Sequence, residues 1–254
     1  MGKHDRSAET DPRFRNVYDD EARAAAYDTL EFPGTYWLAF RDLPAILARH
    51  APGRRALDFG CGTGRSTRFL RRLGFEPLGV DIAPGMLERA RARDPEGDYR
   101  LVPDGSLPGL EPGSFDLVLA TFTFDNVPGT DRRLVLFRAL AELLADGGRF
   151  VNLVSSPEIY LHEWASFSTR DFPENRSAGS GDTVRIVMLD VPDRRPVQDI
   201  LFTERDYRDA YRRAGLEVLE LHHPLGGPDE PHDWVSETEV SPWSIYVLGK
   251  REGP

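Results

Sequence analysis

The 254-residue sequence has a single cysteine, Cys61, and no apolar run that approaches the roughly 18 residues needed to cross a membrane. One cysteine cannot form an internal disulfide, which fits a cytoplasmic protein. Positive charge is also scarce: 32 Lys and Arg stand against 42 Asp and Glu, so the formal net charge is −10. An acidic chain is a poor partner for the phosphate backbone of a nucleic acid. We therefore expect neither a nucleic-acid partner nor a membrane partner. Residues 1–12 are charged and lack an apolar signal core, and we expect them to form a disordered tail.

Short apolar runs alternate with helix-like segments from Arg54 onward. The apolar runs are continuous, which is typical of parallel strands buried on both faces. The alternation of strands and helices predicts a doubly wound α/β layer. The predicted strands are RALDFG, EPLGVD, YRLV, FDLVLAT and GGRFVNLVS, and the predicted helices are STRFLRRL, PGMLERARAR and DRRLVLFRALAELL.

The C-terminal part has a different pattern. DTVRIVMLD and PVQDILF predict two extra strands joined by a turn, and TERDYRDAYRRAG predicts a helix capped by Thr203 and Asp206 that stops at Gly215. The last two predicted strands, LEVLELHH and SIYVLG, are joined by a polar loop without a helix, so they must be antiparallel neighbours. The predicted sheet therefore ends in an antiparallel strand, and the aromatic residues 13–50 must pack outside it.

A glycine-rich loop, in LDFGCGTG, follows the first predicted strand. Ligands of such sheets bind at the carboxyl ends of the strands, so the loop is a candidate binding site. A P-loop for phosphate needs a lysine after its last glycine, and this loop has none. A dinucleotide loop needs a glycine at position 65, where this chain has Arg65; the third glycine comes one residue early, at Gly64.

Two carboxylates indicate what the loop holds. Asp58, just before the first glycine, would repel a pyrophosphate and attract an ammonium group. Asp81 ends the second predicted strand, where a carboxylate suits the two hydroxyls of a ribose. These positions predict a nucleoside with a positively charged, phosphate-free tail. A helix-start cap is the alternative role for Asp81.

LDFGCGTG, GVD and the downstream FDLVLATFTFDNVP resemble, at their spacing, the class I S-adenosylmethionine-dependent methyltransferases. The resemblance covers roughly residues 54–155. It implies an α/β, Rossmann-like fold with a mostly parallel seven-stranded sheet, an antiparallel last strand, N-terminal helices and a small β insertion as substrate cap. We expect one domain over residues 13–254, divided into an N-terminal helical cap (13–50), a cofactor-binding core (54–155), a cap insertion (156–202) and a C-terminal completion of the sheet (203–254).

The resemblance also implies which residues hold S-adenosylmethionine. The glycine loop would pass the methionine moiety, with Asp58 near the ammonium, and Asp81 would bind the ribose. Asp104 would meet the adenine amino group, although the spacing from Asp104 to the following LP is shorter than usual. The resemblance further implies that a tyrosine or an arginine of an N-terminal helix binds the cofactor's carboxylate, a role for which Tyr18 and Arg41 are the candidates. The implied cofactor residues are Tyr18, Arg41, Asp58, Gly60, Cys61, Gly62, Gly64, Asp81, Ile82, Met86, Asp104, Gly105, Ser106, Thr121 and Phe122.

The acceptor site would be built by the aromatic segments outside the core. A pocket of aromatic side chains with a few polar groups is typical of a small-molecule site, and such rings also stabilise a sulfonium cation. The predicted pocket residues are Tyr27, Tyr36, Trp37, Tyr160, Trp164 and Trp234. His162 and Glu163 are the candidate catalytic residues, with a structural role as the alternative for His162. We predict no metal site, because the adjacent His222 and His223 would point to opposite faces of a strand.

These observations favour methyl transfer to a small molecule such as a natural product, an amine or a carboxylic acid. In such an in-line displacement the protein mainly positions the acceptor and excludes water. Two alternatives stay open. One is an enzyme that cyclises or cleaves the aminobutyryl chain of the same cofactor, and the other is a cofactor-binding module without catalysis. The chain could act as a monomer or a homodimer.

Overall fold

The computed structural model describes residue 20 and residues 33–251. Residues 1–12, Tyr18 and Tyr27 lie outside the described residues. Within the described part, no helix is both long enough and apolar enough to cross a lipid bilayer. The helices are α1 (Gly34–Arg41), α2 (Leu43–His50), α3 (Arg65–Arg72), α4 (Pro84–Arg93), α5 (Thr130–Leu143) and α6 (Glu204–Arg213). The strands are β1 (Arg55–Phe59), β2 (Glu76–Asp81), β3 (Asp98–Leu101), β4 (Phe115–Thr121), β5 (Leu144–Ser155), β6 (Phe167–Ser168), β7 (Thr183–Met188), β8 (Val197–Ile200), β9 (Leu216–His222) and β10 (Trp243–Lys250).

Seven strands form one sheet in the order β3-β2-β1-β4-β5-β10-β9. The pairs from β3 to β5 are parallel, and β10 is antiparallel to both of its neighbours, β5 and β9. This confirms the predicted α/β fold with its antiparallel last strand. The strand order reverses between β1 and β4, and a crevice therefore opens at the carboxyl ends of these two strands.

The strand β4 shows why its apolar run is continuous. Leu117 and Leu119 pack into the cluster on one face of the sheet, with α1, α2 and apolar residues between 159 and 201. Val118 and Ala120 pack on the other face, with α5 and α6. Because both faces are covered, every position from 117 to 120 is apolar and fully buried.

A second, smaller sheet lies within residues 156–202. Its antiparallel strands follow the order β6-β7-β8. The buried Asn175 joins this sheet to the end of β5, because its amide donates to the carbonyl oxygens of Tyr160 (3.1 Å) and Arg185 (2.8 Å). The small sheet is therefore held over the carboxyl edge of the large one.

Buried polar contacts fasten α1 beside the same edge. The Thr35 hydroxyl donates to Glu237 at 2.6 Å and accepts from the Ser166 backbone at 3.0 Å. The Trp243 indole donates to the Thr35 carbonyl at 2.8 Å. These bonds fix the first turn of α1 and with it the position of Tyr36.

Gly64 is the turn residue before α3, and we expect its replacement to destabilise the fold. Its φ is +78°, and a Cβ would lie 2.5 Å from the Tyr99 hydroxyl oxygen. We expect Gly64→Ala to lower the free energy of unfolding by about 1–2 kcal/mol in urea titrations. Gly85→Ala is the matched control, because a Cβ on Gly85 in α4 meets nothing within 4 Å. This control should be neutral or slightly stabilising; equal midpoints for the two variants would contradict the prediction.

Candidate functional site

A cleft opens where the crevice between β1 and β4 was expected. It contains about 1070 Å³ of empty space and is lined by the loops after β1, β2, β3 and β4. We call it the first cleft. Its position follows from the topology, because loops at the reversal point diverge to opposite faces of the sheet.

The glycine loop forms the floor of the first cleft. Gly60 and Gly62 have φ values of +71° and +53°, and both line the cleft. A Cβ on Gly60 would lie 2.4 Å from the Thr123 side chain. The Gly60 and Cys61 amides donate to the Val80 carbonyl at 2.9 and 3.0 Å. The loop is therefore bound to the end of β2, and its backbone is exposed to a ligand without side chains in the way.

Asp81 ends β2 at the wall of this cleft and is only 9% exposed. Its Oδ2 accepts from the Gly62 amide and its Oδ1 from the Ala83 amide, both at 2.8 Å. The carboxylate thus ties the glycine loop to the start of α4. The two contacts also fix its orientation toward the cleft, and a carboxylate has room for about four hydrogen bonds in all.

The other walls of the first cleft bring together most of the remaining predicted cofactor residues. Asp104 forms an ion pair with Arg132, and both residues line the cleft. Phe122 has a φ of +61°, the only positive φ at a non-glycine position among the described residues. Such a conformation is uncommon and often lies at a functional site. Ile82, Met86, Gly105, Ser106 and Thr121 line the cleft as well.

Cys61 lines the first cleft but packs against Leu87, Ala90 and Tyr99. Burial raises the pKa of its thiol well above the usual value, and the charges of Asp58 and Asp81 add to the effect. The thiol therefore stays protonated near neutral pH, which agrees with a packing role rather than a nucleophilic one.

Asp58 lies beneath the loop rather than at the cleft surface. It is fully buried, and its Oδ2 accepts from the hydroxyls of Ser66 (2.7 Å) and Thr67 (2.6 Å). Its Oδ1 has no hydrogen-bond partner among the described residues. Burial raises the pKa of Asp58 to about 6, against the lowering effect of the two hydroxyls. The structure does not bring this side chain, or Gly64, to the lining of the cleft.

A second cleft adjoins the first, and the two share Phe122 and Asn126. It contains about 450 Å³ of empty space between the large sheet and the small one. Aromatic rings form its walls: Phe122 and Trp243 have centroids 4.8 Å apart, and Tyr36 and Phe167 4.9 Å apart. Of the predicted pocket residues, Tyr36 and Tyr160 line it.

Two carboxylates of the second cleft were missed by the sequence reasoning. Asp125 is 6% exposed and accepts from the Ser155 amide (3.1 Å) and hydroxyl (2.9 Å). Asp199 is 7% exposed and accepts from the Tyr160 hydroxyl at 3.0 Å. Burial raises the pKa of Asp125 to about 8, and the charge of Asp199 adds to this, while hydrogen bonds from Ser155 and the charge of Arg133 oppose it.

A sequence signal for both carboxylates exists. Asp125 lies in FDLVLATFTFDNVP, directly after a strand end, where ligand-binding residues of such sheets are expected. Asp199 shares the inward face of β8 with Val197, as the alternating burial of that strand shows. A charged residue at an inward-facing position of a strand is rare, and this pattern indicates that Asp199 could have a functional role.

The predicted catalytic residues His162 and Glu163 line neither cleft. The turn Pro157–Tyr160 after β5 points Tyr160 inward, and the chain then leaves the edge of the sheet. The His162 side chain is 39% exposed and pairs with Glu158 at 3.2 Å. Glu163 accepts from the Ser168 hydroxyl and the Thr169 amide, both at 2.8 Å, and so holds its own loop. Burial alone would raise the pKa of Glu163, but these bonds keep it below its usual value.

Arg41 and three tryptophans also lie away from both clefts. The Arg41 guanidinium forms ion pairs with Asp42 and Glu230, because α1 turns that end of the helix toward the loop before β10. The ring of Trp37 on α1 and the ring of Trp234 on that loop both pack at a tilt against His232. Trp164 is buried, and its indole donates to the Ile159 carbonyl at 2.8 Å, which is a core contact.

Histidines do not gather into a metal site in the described part of the chain, where no group of three or more His, Cys, Asp or Glu residues could hold an ion. His222 pairs with Glu220 at 2.8 Å, and His223 lies 3.4 Å from the Trp243 carbonyl oxygen. The first cleft offers instead glycine backbone, an oriented carboxylate, the Arg65 side chain and apolar side chains. This set suits an organic molecule that carries both hydroxyl groups and charged groups.

Comparison with known proteins agrees with this geometry. A family profile described as a methyltransferase domain matches residues 57–152. The chain is 38% identical over 111 residues to a ubiquinone biosynthesis O-methyltransferase of Xanthomonas campestris pv. campestris; the aligned part covers 42% of this chain and only 45% of that relative.

Two further similarities extend over most of the chain. An N-demethylindolmycin N-methyltransferase of Streptomyces griseus is 24% identical over 84% of this chain and 89% of its own length. The crystal structure of an S-adenosylmethionine-dependent methyltransferase from Mesorhizobium loti superimposes with a TM-score of 0.59 at 22% identity. This superposition covers 83% of the present chain and 97% of the Mesorhizobium chain.

Proposed function

The chain carries a methyltransferase domain of the class I S-adenosylmethionine-dependent type, and from this premise we propose that it transfers a methyl group from S-adenosylmethionine to a small-molecule acceptor. One observation carries the proposal: an aromatic cleft of about 450 Å³ adjoins the glycine-loop cleft at Phe122 and Asn126. A cofactor site and an acceptor site that meet at one wall are what an in-line displacement requires.

The residues of the first cleft fit the cofactor. The positive φ values of Gly60 and Gly62 keep side chains away from the methionine moiety, and the oriented carboxylate of Asp81 suits the ribose hydroxyls. Ile82 and Met86 offer an apolar surface for the adenine. Because Asp58 is buried beneath the loop, it does not contact the ammonium group of the cofactor directly. It would attract that group through the electric field of its charge, and it supports the loop through its hydrogen bonds.

Arg65 is a better candidate than Arg41 for the carboxylate of the cofactor. It lines the first cleft, and its guanidinium lies 5.5 Å from the Tyr36 ring centroid and 6.0 Å from that of Phe40. The two rings orient the guanidinium, whose planar fork suits a carboxylate. Arg65 is the first residue of α3, which begins directly after Gly64, so its side chain lies beside the glycine loop.

The bound cofactor supplies an electrophilic methyl group on a sulfonium sulfur. The chain's own residues orient the acceptor: Tyr36, Phe122 and Trp243 form a wall at the junction of the clefts. The small sheet and α1 flank the second cleft, so an acceptor bound there would be partly shielded from water. Phe122 belongs to both linings and so couples the two sites.

The names of the relatives support a small-molecule acceptor, since one refers to ubiquinone biosynthesis and the other to N-demethylindolmycin. The small aromatic cleft and the net charge of −10 support the same class over a nucleic acid. We further propose that the protein acts in the cytoplasm, as a monomer or a homodimer, with residues 13–50 and 156–202 forming the substrate cap.

Calorimetry with S-adenosylmethionine, S-adenosylhomocysteine and NAD tests the cofactor. We expect both sulfur nucleosides to bind and NAD not to bind; tight NAD binding alone would overturn the proposal. Product analysis then tests the chemistry. S-adenosylhomocysteine that forms only when an acceptor is present supports methyl transfer, whereas methylthioadenosine formed without an acceptor shows that the cofactor's own chain is cleaved.

Two neighbouring aromatic residues of α1 allow the acceptor site to be tested against a control outside it. Tyr36 lines the second cleft, whereas Trp37 packs against His232 outside the cleft. We expect Tyr36→Leu to raise the acceptor KM roughly tenfold through the lost ring contacts. The Kd for S-adenosylhomocysteine should rise by a smaller factor, because the Tyr36 ring also lies against the Arg65 guanidinium. Trp37→Leu, the control, should leave both values near wild type. Equal KM changes in the two variants would mean that the second cleft is not the acceptor site.

A further inference from the structure

An ion pair connects two sides of the first cleft. Asp104, in the loop after β3, pairs with Arg132, in the first turn of α5, and both residues line the cleft. Their side chains are 24% and 19% exposed, so water and salt screen this pair less than a pair on the open surface. In the order of the sheet, β2 and β1 lie between β3 and β4, the strand that precedes α5. The ion pair therefore joins the β3 side of the cleft to its β4 side.

A tight turn presents Asp104 to the cleft. The loop is held at its start, because the Val102 amide donates to the last carbonyl of β2 at 3.0 Å. Two residues further on, the Ser106 amide donates to the Pro103 carbonyl at 3.3 Å, and Gly105 has a φ of +76°. This hydrogen bond and the positive φ at the third position are the features of a type II turn, in which Asp104 is the second residue. The backbone that carries the carboxylate is thus fixed.

The backbone that carries Arg132 is fixed as well. The next residue, Arg133, is fully buried; its amide donates to the Gly129 carbonyl at 3.3 Å and its Nη2 to the Phe124 carbonyl at 2.9 Å. The apolar residues of α5 pack on the sheet in the cluster that α6 also joins. The ion pair between Asp104 and Arg132 therefore has an anchored support at each end.

Apolar side chains line the cleft near the ion pair. Ile82 and Met86 come from the β2 side, and Val127 and Leu136 come from the β4 side. Met86, Val127 and Leu136 are each at least nine-tenths buried. Such walls suit the faces of a flat ring system, while its polar edge needs hydrogen-bonding groups. Asp104 is the residue expected to meet the amino group on the edge of an adenine ring.

The contact with Arg132 leaves Asp104 able to bind such a group. A carboxylate accepts about four hydrogen bonds, and a guanidinium uses only part of this capacity. The planar guanidinium also restricts the rotation of the carboxylate that it holds. A carboxylate that is already oriented loses less conformational freedom when a ligand binds, so its hydrogen bond contributes more to affinity.

We propose that Arg132 is a positioning residue for the cofactor. It holds Asp104 in the orientation that accepts a hydrogen bond from the 6-amino group of adenine, and so increases the preference of the first cleft for adenine over a base without that group. This inference rests on the proposed function and adds a residue to its cofactor site. Arg132 acts through Asp104 rather than through a contact of its own with the base.

An ion pair that only sealed the cleft would have the opposite effect. A ligand would then have to break the pair to reach Asp104, and removal of Arg132 would tighten cofactor binding. The anchored backbone at both ends and the remaining acceptor capacity of the carboxylate favour the positioning role. The sign of the change in Kd distinguishes the two roles.

Two nucleosides that differ only at position 6 of the base test the preference. They are S-adenosylhomocysteine and its analogue with unsubstituted purine in place of adenine, titrated by calorimetry. We expect the wild type to bind the purine analogue roughly tenfold more weakly. Equal Kd values would overturn the inference and leave the proposed function intact. Failure of both nucleosides to bind would overturn the proposed function and the inference with it.

Variants locate the preference at Arg132. Arg132→Gln should raise the Kd for S-adenosylhomocysteine roughly tenfold and leave that for the purine analogue unchanged within about twofold. Arg132→Lys keeps the charge and should restore part of the preference. Arg138→Gln is the control, because this exposed arginine lies on the same helix and donates to the Arg213 carbonyl outside the cleft. A preference retained in Arg132→Gln, tighter binding of S-adenosylhomocysteine by that variant, or an equal loss in the control would contradict the proposal.

A double-mutant cycle shows whether Arg132 acts through Asp104. Asp104→Ala should also remove the preference, and the double variant should bind S-adenosylhomocysteine within about threefold of either single variant. Losses that multiply would show that the two residues act independently, which would overturn the positioning role. Thermal unfolding checks that each variant is folded, and Arg132→Met takes the place of Arg132→Gln if the latter does not fold.

Discussion

Asp81→Asn should raise the Kd for S-adenosylhomocysteine roughly thirtyfold, equivalent to about 2 kcal/mol. The amide keeps the shape of the carboxylate, but it loses the charge and replaces one acceptor oxygen by a donor. In the native protein each oxygen already accepts one backbone amide at 2.8 Å, from Gly62 or from Ala83. In either orientation of the Asn amide, its NH2 group takes the place of one acceptor oxygen. The variant therefore loses an acceptor either for the ribose or for the glycine loop. Calorimetry on the purified variant measures the change.

The ribose contact can be separated from the support of the loop. If Asp81 binds the ribose, the wild type should lose affinity for the 2′-deoxy analogue of S-adenosylhomocysteine, whereas Asp81→Asn should bind the two nucleosides with similar affinity. Asp116→Asn is the control, since Asp116 pairs with Arg55 near the amino end of β4, far from the cleft. If the variant discriminates between the nucleosides as strongly as the wild type, Asp81 acts only on the loop.

Much of the lining of the first cleft could be predicted from the sequence because its geometry is local. A strand, a tight turn and a helix start follow one another within LDFGCGTGRSTRFL, and the positive φ values of Gly60, Gly62 and Gly64 are the backbone counterpart of that spacing. The sheet was equally predictable, since the apolar runs of four to nine residues alternated with helix-like segments and the last two strands had no helix between them. Only strand ends moved: β5 begins at Leu144 rather than at the glycines.

The lining of the second cleft could not be predicted because it depends on how segments that are far apart in the sequence turn relative to the sheet. His162 and Glu163 follow β5 closely, as a catalytic pair would, but the turn at Pro157–Tyr160 sends Tyr160 inward and leaves both outside. The position of Arg41 could not be predicted for the same reason. Its guanidinium is held away from the cleft by Glu230, which lies 189 positions later in the chain. Aromatic content alone likewise did not separate Tyr36, in the wall of the second cleft, from Trp164, in the core.

Stability should fall as the pH rises from 6 to 8, and Asp125 should be the cause. The pKa of this carboxyl group is about 8 in the folded protein against an ordinary 3.8. Between these values the folded state holds a proton that the unfolded state has lost. The free energy of unfolding contributed by this group therefore decreases with rising pH, by at most about 1.4 kcal/mol per unit, and levels off above pH 8.

Asp58 provides the internal control for this pH dependence of the free energy of unfolding. Its pKa in the fold is about 6, so its own contribution is lost between about pH 4 and 6 and is constant above that range. Urea unfolding at pH 5, 6, 7 and 8 should then show that Asp125→Asn gains stability over the wild type progressively from pH 6 to 8, while Asp58→Asn runs parallel to the wild type there. Titrating groups that do not interact with the substituted residue are shared and cancel in each difference between variant and wild type, whereas the charge of Asp199 belongs to the effect measured for Asp125→Asn. A constant difference between Asp125→Asn and the wild type across this range would mean that Asp125 is ionised in the fold and balanced by a cation.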